Sequence, residues 1–484
     1  MKFRDGHILP TVRIQKIELE NFKSVHYGEV LFDCGRRIVP KDTESDILGI
    51  YGQNGSGKTA VIEALAILER LMSGDPIPAR YSECVSQGAK YARLTFVFDF
   101  QYSINEKDYT RTITYSFKMD AIPNEREEDE EDELRTLSSY YSTKVRVFDE
   151  TISAAGLFDE KIQKKQVILT TDSGEYPIGP GRKIHQFVGD SKDQIIVDLA
   201  VNQRTAAKES RSFVFMKETM ELFYKYSNNS EYFQILMELK HYARFYLYAV
   251  DTRASGMGAV MSVPLNTRLG ILGLNLLGTS KMSQKIYEDL EYFVNSINTV
   301  LPALISDMQL ILDHNEFVSE KKRGKEVKLL SKRNNTIIPL RDESAGIIKL
   351  ISVLSLVIAA FNDPSITVAI DELDAGIYEY LLGEILIGLE TYGKGQFIFT
   401  SHNLRPLEVL KKESLIFTTS NPDNRYIRLK GVGKTNNLRS LYLREILGST
   451  QDEQIYDAAK RQRMIASFMK AGDGIAEKEK KRKA

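Results

Sequence analysis

The residues Gly52-Gln53-Asn54-Gly55-Ser56-Gly57-Lys58-Thr59 have the types and spacing to bind phosphate. Their three glycines let backbone N–H groups turn inward as a concave nest for anionic oxygens. In the pattern G-x-x-x-x-G-K-[ST], the lysine reaches the outer phosphates of a triphosphate and the hydroxyl holds Mg²⁺. Asn54, Gly55, Ser56, Gly57, Lys58, Thr59 and Ala60 are therefore the candidate phosphate binders, with Thr59 also a metal ligand. A second constellation is Ile366-Thr-Val-Ala-Ile-Asp371-Glu372, an apolar β-branched run ending in two acids. At the end of such a strand Asp371 can reach the metal, directly or through water. Glu372, one residue on, can orient or deprotonate an attacking water. Two acids at a strand end are also an ordinary cap.

Two weaker signals follow the same logic. Ser344 and Gly346 open an apolar helix that runs to Ala360. Ser344 suits an N-cap, and free N–H groups at a helix start attract anions, although an ordinary cap looks the same. His402 ends the buried run Phe397-Ile-Phe-Thr-Ser-His402. A lone histidine there is as readily structural, yet parallel topology would put it on the same sheet edge as Glu372, within reach of a terminal phosphate.

The elements that must position these groups are legible around them. Asp46-Ile-Leu-Gly-Ile-Tyr51 reads as a short buried strand entering the glycine loop, and Thr59 to Arg70 as a helix with apolar residues at i, i+3 and i+4. Val12 to Phe22 alternates as a strand, with Val30 to Phe32 as its hairpin partner, and Tyr91–Phe100 with Thr110–Phe117 read as an antiparallel pair. Residues 144–150 and 165–171 resume strand character. From about residue 205 to 300 the pattern turns helical, in Met216–Tyr226, Tyr232–Tyr246 and Lys281–Leu304. Strands return at Met308–Asp313, Glu326–Leu330 and Thr336–Leu340, then Tyr426–Leu429. The acidic run Glu127 to Glu133 reads as a solvated loop or frayed helix, with mimicry of nucleic-acid phosphates or cation binding as the alternative. Lys321 to Lys325 reads as a basic hairpin tip that is solvated or contacts phosphate, and Lys478 to Lys483 as a basic disordered tail.

Bulk composition excludes several classes. The net charge of −1 supplies no global case for nucleic-acid binding, so DNA contact would need a local patch. Cys34 and Cys84 have no paired spacing, which fits a reducing cytoplasm and argues against zinc. No run of 18 apolar residues predicts a membrane span, and Ile351 to Phe361 reads as a buried helix.

The order of the four constellations resembles ATP-binding-cassette ATPases of the SMC/RecF type and, more narrowly, the OLD-like AAA ATPases. The opening Ile17-Glu-Leu-Glu-Asn-Phe-Lys-Ser24 and the closing Asn436 to Arg444 are similar to that family's as well. The resemblance implies an α/β fold, a P-loop ABC-type ATPase head with an antiparallel β subdomain and a helical insertion. It implies ATP and Mg²⁺ as ligands, Lys58, Glu372 and His402 as catalytic residues, and Thr59 with Asp371 on the metal. It makes Ser344 and Gly346 a signature that meets ATP in a second head, and Asp374-Ala375-Gly376 a D-loop. Gln101 and Gln194 are candidates for the Q-loop glutamine. The organisation expected is lobe I over 1–204, a helical insertion over 205–305, lobe II with signature, Walker B strand and switch histidine over 306–420, and a closing segment with basic tail over 421–484.

OLD nucleases add a TOPRIM domain with an Asp-x-Asp, which is missing from the 82 residues after His402. The chain therefore looks like a sensor subunit of a two-gene bacterial anti-phage system, resembling the AriA family of PARIS and next the PtuA family of Septu. That resemblance implies a cytoplasmic homo-oligomer of head-to-head dimers, up to a hexamer, with a separate effector nuclease and a phage-encoded trigger protein. The competing expectation is a SMC/RecF-like DNA-repair ATPase that clamps duplex DNA.

Overall fold

The strand entering the glycine loop pairs in parallel with strands from the last third of the chain. The computed structural model describes residues 8–32, 46–104, 107–124, 141–158, 161–172, 174, 176–190, 192–228, 230–251, 262–267, 270–275, 278–319, 322–429, 438–448, 453–455 and 463–471. The acidic run Glu127–Glu133, Cys34 and the basic tail lie outside these residues, as does part of the basic tip at 321.

From the N-terminus, β1 (Thr11–Phe22) and β2 (Val25–Leu31) form a hairpin, β3 (Asp46–Tyr51) enters the glycine loop and α1 (Lys58–Ser73) leaves it. Next come β4 (Ala92–Ile104), β5 (Lys107–Pro123), β6 (Thr143–Phe158) and β7 (Lys161–Thr170). The helices α2 (His185–Val188), α3 (Lys192–Lys208), α4 (Lys217–Tyr226) and α5 (Glu231–Phe245) lead into β8 (Leu247–Val250). Then β9 (Ser262–Thr267), β10 (Gly270–Asn275) and β11 (Ser280–Met282) precede α6 (Gln284–Leu304), and β12 (Met308–Ser319), β13 (Lys322–Arg333) and β14 (Thr336–Pro339) follow it. The chain continues through α7 (Ala345–Asn362), β15 (Thr367–Ile370), α8 (Glu379–Tyr392), β16 (Gln396–Thr400) and α9 (Pro406–Val409). It ends in β17 (Leu415–Thr418), β18 (Tyr426–Ile427), α10 (Leu438–Gly448) and a helical turn over 463–471.

The central sheet has the order β18-β17-β3-β16-β15-β8, all parallel except β18. Its strands are buried on both faces, so they read as apolar runs rather than polar alternations. Leu48, Ile50, Ala369 and Ile398 face α1 and the antiparallel sheet, in order β2-β1-β4-β5-β6-β7. Their neighbours Ile47, Val368, Ile370, Phe397 and Phe399 face α7, α8 and α10. This one-residue alternation sandwiches the sheet between two cores. A third core joins α6 and α7 to β12 and β13, with Leu290, Ile297, Ile351 and Leu354 each at most 1% exposed.

One stretch differs from expectation. The segment read as helical from about 205 to 300 contains the paired β9 and β10, β11 (which takes Lys281 out of the expected helix and pairs with β13), and β8, the edge strand of the central sheet. Leu247–Val250 pairs in register with Thr367–Ile370. Only Tyr246, the C-cap of α5, separates its four residues from the helix, and no glycine or proline marks the change of period. Among the described residues α7 is long and apolar enough to cross a membrane, with mean hydropathy 2.0, but 56% of it is buried inside the protein.

Candidate functional site

Because β3, β15 and β16 are adjacent and parallel, their C-terminal ends share one edge of the sheet, where such folds bind ligands. Gly52 follows β3, Asp371 follows β15, and His402 lies just beyond β16. Between them opens a cleft of about 430 Å³ lined by residues that include Lys58, Thr59, Asp371, Glu372, Thr400 and His402. That volume is in the range of small-ligand sites.

The glycine loop adopts the expected left-handed turns. Gly52 has φ 154°, and a Cβ there would lie 1.7 Å from Thr418 Oγ1, so no other residue fits. Gly57, with φ 94°, is the N-cap of α1 and makes no side-chain cap bond, leaving that helix start to an outside anion. The Lys58 ammonium donates to the carbonyls of Gly52 at 2.8 Å and Gln53 at 2.9 Å. Burial pulls its pKa below the ordinary lysine value, and Asp371, Glu372 and Asp374 oppose that pull.

Asp371 is 1% exposed. Its Oδ1 accepts from Thr59 Oγ1 at 3.3 Å and Thr400 Oγ1 at 2.6 Å. Thr400 Oγ1 also accepts from the Glu372 N–H at 2.8 Å. Thr59 and Asp371 present a hydroxyl and a carboxylate oxygen side by side and would hold a hard, oxygen-binding cation between them. A hydroxyl, a buried carboxylate and an open anion nest are thus a donor set that fits Mg²⁺ with a triphosphate. Glu372 has φ 47°, a left-handed backbone uncommon for a residue with a side chain. Strand alternation would send consecutive side chains to opposite faces. The turn at Glu372 ends that alternation, and both acids line one cleft.

His402 also lines the cleft, and its backbone is held by Asp374, whose Oδ2 accepts from the N–H groups of His402 at 3.1 Å and Asn403 at 3.0 Å. Ser344 and Gly346 are not among the lining residues. Ser344 is exposed and caps α7 by accepting from the Ile347 N–H at 3.4 Å. A Cβ on Gly346 would lie 2.0 Å from the Gly376 carbonyl, so its glycine is needed for contact between backbones of the same chain. Gly346→Ala should therefore push α7 off the 371–376 loop, costing about 1–3 kcal/mol by overpacking, read as a lower midpoint in urea unfolding. Gln101 lies in β4, paired with Thr11 and Thr110, and is not among the residues lining the cleft, while the side chain of Gln194 lies outside the described residues.

Three cleft residues were not singled out from the sequence. Lys23 and Ser24 form the β1–β2 turn, where Lys23 has φ 57° and pairs with the buried Glu63 of α1. The Ser24 hydroxyl donates to the Gly55 carbonyl at 3.1 Å. The buried Glu63 within an apolar helix was the available signal for a partner. Thr400 had none, being one more β-branched residue in a strand.

The AAA ATPase domain family matches residues 13–405. This chain belongs to that family. It is accordingly an ATPase, and the family implies ATP as the ligand of the cleft. No curated protein matches it. Several solved structures are similar at low identity. The Smc head bound to the C-winged helix domain of ScpA is 15% identical with TM-score 0.37, covering 86% of this chain and 97% of that one. The Smc head with coiled coil and joint from Pyrococcus yayanosii is 12% identical with TM-score 0.38, covering 90% and 99%. The SMC head from Thermotoga maritima is 12% identical with TM-score 0.32, covering 86% and 99%.

Proposed function

We propose that this AAA ATPase binds Mg–ATP in the cleft between the glycine loop and the ends of β15 and β16, and hydrolyses it with Glu372 as the base. The observation that carries this is the buried Asp371, two threonine hydroxyls on one of its oxygens, facing a glycine nest. When bound, Mg²⁺ neutralises charge on the phosphates and orients them. Asn54 to Ala60 bind the phosphate oxygens through the loop and the start of α1. Lys58 supplies a mobile positive charge at the outer phosphates. Thr400 fixes Asp371 and the Glu372 backbone together, so the base stays beside the metal ligand. His402, which lines the same cleft, donates to the terminal phosphate in this reading.

Ser344 is exposed at the start of α7, outside the cleft of its own chain, which supports its use by a second copy, with ATP sandwiched between two heads and Gly346 setting the approach of α7 to the 371–376 loop. In that arrangement nucleotide turnover controls assembly. With the resemblances described above, this supports a sensor or scaffold subunit of an anti-phage complex that holds a separate effector nuclease and releases it on meeting a phage protein. Ser344→Arg leaves the cleft intact but places a bulky side chain at the partner's phosphate. It should keep ATP affinity within about twofold, abolish ATP-dependent dimers in light-scattering chromatography, and cut turnover at least tenfold. Normal dimers and turnover would remove the sandwich from this reading. A DNA-clamping role is separated by duplex binding across salt: steep loss of affinity between low and physiological salt would favour it.

A further inference from the structure

We propose that the β17–β18 hairpin is a positioning device for the phosphate loop, in which Thr418, Arg425 and Tyr426 hold the loop backbone in its ligand-ready shape. The proposal rests on reading the cleft as the ATP site. It assigns a role to a segment that contributes no residue to the cleft lining.

Two contacts, from Tyr426 and Thr418, reach the loop directly, and a third, from Arg425, reaches it through Ser24. The Tyr426 hydroxyl donates to the Gly57 carbonyl at 2.8 Å, across 369 residues of sequence. That carbonyl belongs to the planar Gly57–Lys58 peptide, whose C=O and N–H point in opposite directions. Pinning the oxygen from behind aims the Lys58 N–H away from the hairpin. Thr418 Oγ1 lies 2.5 Å from Ser56 Oγ and donates to the Tyr51 carbonyl at 3.2 Å. It thus joins the strand entering the loop to the loop's middle. Arg425 donates to the Ser24 carbonyl and, through Nη1, to the Thr419 carbonyl at 2.6 Å. Ser24 in turn donates to Gly55.

The fit of the glycines follows the same surface. The Tyr426 ring lies 2.5 Å from where a Cβ on Gly28 would sit, and Arg425 and Tyr426 both lie 3.4 Å from a Cβ on Gly57. Both side chains are buried, at 6% and 7% exposure, so they form a fixed backing. The hairpin is itself braced by the segment after α10. Asn421 and Asn424 donate to Glu453 Oε1 at 3.1 Å, and the Ser420 N–H donates to the Gln454 carbonyl at 2.7 Å. A glycine-rich loop bound only by its own bonds would sample many shapes, and a rigid backing lowers the ordering cost of binding.

The test measures Mg–ATP affinity by calorimetry, steady-state kinetics and melting temperature for the parent, Tyr426→Phe, Thr418→Val and the double variant. Tyr242→Phe is the control, because its buried hydroxyl bonds Thr367 far from the loop. Each single change should weaken ATP binding roughly three- to tenfold and raise KM alike, with kcat within about twofold. The melting temperature should fall no more than in Tyr242→Phe. The double variant should lose less than the product of the two, since both bonds hold one loop. Parent-like affinity in both single variants overturns the proposal, as does an affinity loss that Tyr242→Phe reproduces. A parent that does not bind Mg–ATP overturns the reading of the cleft itself, and the positioning role with it.

Discussion

Glu372→Gln should lower ATP turnover by about 10²–10⁴-fold while leaving ATP affinity within a few-fold of the parent. The amide keeps the length and shape of the side chain but cannot take a proton from water. The substitution leaves the metal side alone: Asp371 keeps its bonds from Thr59 and Thr400, and Thr400 is held by the residue 372 N–H, a backbone group. The left-handed backbone at φ 47° is no harder for glutamine than for glutamate, so folding should be unchanged. Bound ATP should then persist, and head-to-head dimers should accumulate with it. Single-turnover quench measurements and light scattering read the two effects. A variant that hydrolyses ATP at the parent rate would show that another group activates the water.

Lys58→Ala should weaken Mg–ATP binding by at least about a hundredfold, because it removes charge-assisted hydrogen bonds to phosphate. The loss is enlarged by what remains. Asp371, Glu372 and Asp374 all act electrostatically on Lys58. Without the ammonium, one of the two lysines that offset these carboxylates beside an anionic ligand is gone. Lys58→Met, which keeps most of the aliphatic stem, should fail equally, showing that charge and not packing is lost. Tight binding by either variant, measured with Mg–ATP in calorimetry, would place the phosphates elsewhere.

The sequence by itself determined the local chemistry. Three glycines before Lys58-Thr59 dictate a loop of left-handed turns, and the apolar period after Thr59 dictates α1, because backbone sterics and helical spacing act over a few residues. The two-sided burial of β15 and β16 was readable for the same reason: a parallel strand covered on both faces needs an unbroken apolar run. The expected fold class and ATPase activity came from the family resemblance that these motifs carry in their order.

Only the tertiary structure decided which distant residues meet. β8 hid behind α5 because four apolar residues carry no period of their own. Thr400 became a partner of Asp371 because β15 and β16 pair in parallel. Glu372 joined the cleft through a left-handed turn that its residue type does not announce. Gly346 proved to be shaped by Gly376, and Tyr426 by Gly57 and Gly28. Such contacts span up to hundreds of residues, and sheet order, which no local pattern encodes, sets them.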